Sequence, residues 1–71
     1  MNNSFSFRAG WESLPTKHKK EVQEEIKSAL KIKTDAFYPR LRGEVEPRIS
    51  EAQAIETIFR KYGVKNIWGN N

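Results

Sequence analysis

The chain has no cysteine and only one histidine, His18. No disulfide can brace it and no thiolate or clustered imidazole can hold zinc, so redox and zinc chemistry fall away. It also lacks a long apolar run. Mean hydropathy is -0.80, and no stretch approaches the roughly 18 residues that span a bilayer or the roughly 7 to 15 of a signal-peptide core. These absences predict a cytoplasmic protein that needs no metal, cofactor or membrane. Internal repeats and low-complexity tracts are missing as well, and 71 residues leave room for one domain, spanning 1–71, with a shallow surface. Residues 1–4 and 69–71 are expected to fray.

Hydrophobic residues make up 37% of the chain and eight of them are aromatic, more than a disordered chain of this charge carries. The net charge of +4 is unevenly distributed. Lys27, Lys31, Lys33, Arg40 and Arg42 stand against one acid, Asp35, in the window from Lys27 to Arg42, while cations and anions balance elsewhere. A local excess of cations on an otherwise balanced chain is the pattern of a phosphate-binding surface.

The periodicity predicts an all-α fold. Leu14, His18, Val22, Ile26, Ala29 and Leu30 recur every three or four residues, which gives a helix from Leu14 to Leu30 with Pro15 in its first turn and Ser13 or Thr16 as its cap. A last helix is expected to start at Ser50, paired with Gln53 in a capping box, and to end at Tyr62 or Gly63. Gly63 supplies the left-handed residue there, and Val64 packs back on Phe59. Between them, Thr34 or Asp35 can cap a short helix over 35–42, with Phe37 and Leu41 inward. If Asp35 is the cap, Pro39 is the fourth helical residue and only the bond to the cap carbonyl is lost. Phe5, Phe7 and Trp11 suit a short extended segment closing over the core, against which Ile67 and Trp68 should fold back.

The stretch from Gln23 to Gly43 resembles the helix-turn-helix of small bacterial and phage regulators of the Cro/repressor type. Ile26 and Leu30 fall at the inward positions of the first helix, Ile32 at the buried turn position and Phe37 at the anchor of the second helix, with Leu41 and Gly43 at its end. Thr34-Asp35-Ala36-Phe37-Tyr38 through Leu41-Arg42-Gly43 is similar to recognition helices of the form Ser-x-x-Thr-Phe-Tyr-x-Arg-Leu-x-Gly. Three features depart from the pattern: Lys31 stands where the turn usually has glycine, Pro39 interrupts the second helix, and a single helix precedes the motif.

The resemblance implies a transcriptional regulator that binds double-stranded DNA as a homodimer, with the short helix in the major groove. Thr34, Asp35, Tyr38, Arg40 and Arg42 are then the candidates for base contact, and Lys27, Lys31, Lys33 and Arg48 for phosphate. The alternative is a protein-interaction module that uses the 50–62 helix face, with Ile55, Ile58, Phe59 and Tyr62, together with Trp68. Catalysis is not expected. His18 has no second histidine beside it, Glu44 and Glu46 have no nucleophile or metal spacing to work with, and no small-molecule site is evident.

Overall fold

A computed structural model of the chain describes residues 5–69. Four helices and no strand occur among them: α1 (Arg8–Glu12), α2 (Thr16–Leu30), α3 (Thr34–Leu41) and α4 (Ile49–Lys61). The fold is all-α, as the periodicity requires. Most of the expected frayed residues lie outside the described ones. Gly69 is described, and an added Cβ there would stand 2.6 Å from the Ala9 side chain.

Each helix stripe ends in the same core. Val22 and Ile26 from α2, Phe37 and Leu41 from α3, and Ile55, Ile58 and Phe59 from α4 are buried together with Phe7, Leu14, Val64 and Ile67. Phe7 is the hub, with ring centroids 5.8 Å from Phe37, 5.9 Å from Phe59 and 6.1 Å from Trp68. These tilted and edge-on arrangements are the ones that aromatic quadrupoles favour. The first and last described segments meet here, where the Gly10 N–H donates to the Ile67 carbonyl at 3.1 Å, and the Ser6 hydroxyl ties the first segment to the end of α3 by donating to the Leu41 carbonyl at 2.7 Å.

Several boundaries correct the expectation. The segment around Phe7 and Trp11 is not extended, because Arg8–Glu12 forms a helix of its own, so two helices rather than one precede the central turn. Pro15 lies outside α2 as its N-cap, and no side chain caps that helix; the Pro15 carbonyl accepts the His18 and Lys19 N–H groups instead. Helix α4 starts one residue earlier than expected, after Arg48, whose N–H donates to Glu51 Oε1 at 3.0 Å. Glu51 therefore takes the reaching-back role assigned to Gln53.

Helix α3 begins after Lys33, at Thr34, and Arg42 is its C-cap. Pro39 is thus the sixth helical residue, and the bond it forfeits is the one to the Asp35 carbonyl. Asp35 is exposed, so water can reach that carbonyl. Burial of Phe37 and Leu41, at 0% and 6% exposure, holds the helix closed around the interruption.

Helices α2, α3 and α4 all finish in a Schellman motif. The N–H of Ile32 reaches the Lys27 carbonyl, that of Glu44 reaches Pro39, and that of Val64 reaches Phe59, at 3.0, 2.9 and 3.1 Å. Each motif needs a left-handed residue. Gly43 and Gly63 serve at φ +84° and +81°, and in α2 the residue is Lys31, at φ 57°. Lys31 is the only non-glycine described residue in that region, so the turn keeps the left-handed geometry that glycine usually supplies while carrying a full side chain.

Candidate nucleic-acid interface

Burial of Phe37 and Leu41 fixes how α3 is rotated, and the residues left outside form one stripe. Thr34, Asp35, Tyr38 and Arg42 are all exposed, and at 100° per residue they fall within roughly 100° of one another around the helix. Tyr38 is 42% exposed, its ring standing edge-on to Phe37 at 5.2 Å. Four of the five candidates for base contact therefore share a face. Arg40 does not: its Nη1 lies 2.8 Å from Glu51 Oε1, and its side chain is 18% exposed. It ties α3 to the first turn of α4.

The basic window carries much less unscreened charge than the sequence suggests. Lys27 Nζ sits 3.1 Å from Glu24 Oε2 and donates to Thr34 Oγ1 at 2.9 Å. Arg42 meets Glu44 twice, Nε to Oε2 at 2.7 Å and Nη2 to Oε1 at 3.3 Å. This pairing holds the Glu44 carboxyl below its ordinary range and the Arg42 guanidinium above its own. Three of the window's five cations thus face acids from outside it. Lys31 and Lys33 are exposed, with no ion-pair partner among the described residues.

The pairings differ in strength. Arg42 and Glu44 are both well exposed, and such pairs open at little cost, so Arg42 can turn to another acceptor. The Arg40–Glu51 pair is mostly covered and is part of the scaffold. Arg48 is exposed on the approach to α4. Asp35 lies in the first turn of α3, where the helix dipole favours a negative charge. An exposed carboxylate of this kind repels phosphate but can accept from an amino group such as that of cytosine.

Other sequence candidates have structural places. His18 Nδ1 lies 2.9 Å from Glu21 Oε1, and its ring packs on Tyr62 at 5.2 Å. Glu44 is bound to Arg42 and does not pair with Glu46. Ile55, Ile58 and Phe59, read as a docking face, are 1%, 8% and 0% exposed and belong to the core. The screening acids are the main residues that sequence reasoning missed. Glu24 lies three residues before Lys27, a helical neighbour visible in the sequence, whereas Glu51 meets Arg40 only through the tertiary fold.

In comparisons with known proteins, no family model, curated protein or solved structure matches the chain.

Proposed function

We propose that the protein binds double-stranded DNA with α3 in the major groove and serves as a transcriptional regulator. The observation that carries this reading is the exposed stripe of Thr34, Asp35, Tyr38 and Arg42 on a short helix anchored by Phe37 and Leu41. A hydroxyl, a carboxylate, a phenol and a guanidinium on one face can together donate to and accept from base edges. The three residues between α2 and α3 include Lys31 and Lys33, both exposed and close in sequence to Thr34, and they suit phosphate contacts that would fix the register of the helix. The arrangement of helix, tight turn and anchored second helix also fits the resemblance to Cro/repressor-type regulators.

The test is selection from a random duplex library followed by anisotropy titrations on the enriched sequence. With two to four phosphates neutralised, log affinity should fall against log salt with a slope of about -2 to -4. Replacing Lys31 and Lys33 by Ala should weaken binding to all duplexes and flatten that slope by about one for each phosphate no longer neutralised. Tyr38→Ala and Arg42→Ala should instead change which sequence is enriched. Absence of duplex binding at low salt overturns the reading.

A further inference from the structure

At the start of α4, Phe5, Ile49, Ala52 and Trp68 line an open groove of about 370 Å³, with Glu46 also in its lining. One wall is fixed: Trp68 Nε1 donates to Glu56 Oε2 at 2.9 Å, and its ring stands edge-on to buried Phe7. Ile49 is 79% exposed, the most exposed large hydrophobic side chain among the described residues. It is therefore both part of the groove and a projecting apolar knob beside it. Glu46 and Arg48 flank Pro47 with opposite charges, both exposed and neither ion-paired among the described residues.

A contact around a two-fold axis must be self-complementary, with knob and hole, cation and anion, on the same patch. We infer that this groove binds a second copy of the chain, each Ile49 seated against Phe5 and Trp68 of the other copy and each Arg48 facing the other copy's Glu46. A foreign partner of one charge would leave either Glu46 or Arg48 unanswered, whereas a second copy answers both. Arg48 then leaves the set of phosphate contacts. The patch is well below the 20 to 30 residues a side of a standard interface, so association is weak, with a dissociation constant of roughly 10 µM to 1 mM. The inference does not depend on DNA binding and is tested without DNA.

Sedimentation equilibrium should show dimer growing in across that concentration range. Ile49→Asp, an exposed change that places an acid in the first turn of α4 where the dipole favours it, should weaken association at least about tenfold (1.4 kcal/mol or more) while circular dichroism stays unchanged. Glu46→Arg and Arg48→Glu should each weaken association, and the double exchange should restore it, because the charges then face each other in reverse. A chain that stays monomeric to about 1 mM overturns the inference. So does self-association indifferent to Ile49→Asp, or a double exchange no better than the single changes. DNA binding by the Ile49→Asp variant reports separately on the function proposed above.

Discussion

Glu51 Oε1 accepts from two donors at once, the Arg40 guanidinium at 2.8 Å and the Arg48 backbone N–H at 3.0 Å. One carboxylate oxygen therefore caps the start of α4 and fastens α3 to it. Both side chains are largely covered, so Arg40→Ala should cost about 1–2 kcal/mol in urea unfolding. Glu51→Gln, which keeps an oxygen for the cap, should cost about 1 kcal/mol or less. A purely DNA-contacting Arg40 would leave the unfolding midpoint unmoved.

Lys31 gives a prediction in which stability and binding move in opposite directions. Its left-handed backbone disfavours any residue with a Cβ, so Lys31→Gly should stabilise the fold by about 0.5–1 kcal/mol. The same change removes an exposed cation beside α3 and should weaken duplex binding. Thermal melts and anisotropy on one preparation read both.

The glycine-ended helices should rank in a definite order. At Gly63 an added Cβ meets nothing within 4 Å, whereas at Gly43 it would come within 2.9 Å of the Ser6 backbone nitrogen. Gly63→Ala should cost about 1 kcal/mol from backbone strain alone. Gly43→Ala should cost more, since Ser6 would have to move and its bond to the Leu41 carbonyl would be disturbed. Equal destabilisation at the two positions would show that the N-terminal segment gives way freely.

Acid and alkali should loosen the α2–α4 contact from opposite sides. Glu25 accepts from the Lys61 ammonium and from the Tyr62 hydroxyl, and these hold its pKa below the ordinary 4.5. Glu51 is lowered likewise, by the Arg48 N–H and then by Arg40. Groups lowered on folding contribute stability that is complete above their unfolded pKa and is lost as pH falls through the folded value. Tyr62 runs the other way: Glu25 pushes its phenol up to about 12 from 10.0, so its contribution holds below pH 10.0 and disappears as pH rises toward 12. Glu25→Gln should flatten the acid limb of a urea-midpoint profile and bring the phenol's ultraviolet titration back toward 10.0.

The core is legible in the sequence because burial imposes a period. Spacing alone places Val22, Ile26, Phe37, Leu41, Ile55 and Phe59 inward, and Gly63 with Val64 gives away the end of α4. What misleads is local and tertiary. Arg8–Glu12 has little periodicity in five residues, and its helix depends on Phe7 and Gly10 packing against the C-terminal segment. Lys33 and Arg48 act as N-caps with no side-chain bond, so neighbouring Thr34, Asp35 and Ser50 look better on chemistry alone. The candidate interface is half visible: the stripe on α3 follows from helical spacing, but the commitment of Arg40 to Glu51 joins residues eleven apart across a bend.

The backbone bond from Gly10 to Ile67 holds the first and last described segments against each other, while the loop from Glu44 to Pro47 contributes nothing to the core. A circular permutant opened in that loop, with a flexible link joining the segment before Phe5 to the one after Gly69, should keep Phe7 at the centre of its aromatic neighbours and retain α2, the turn and α3 as one uninterrupted stretch.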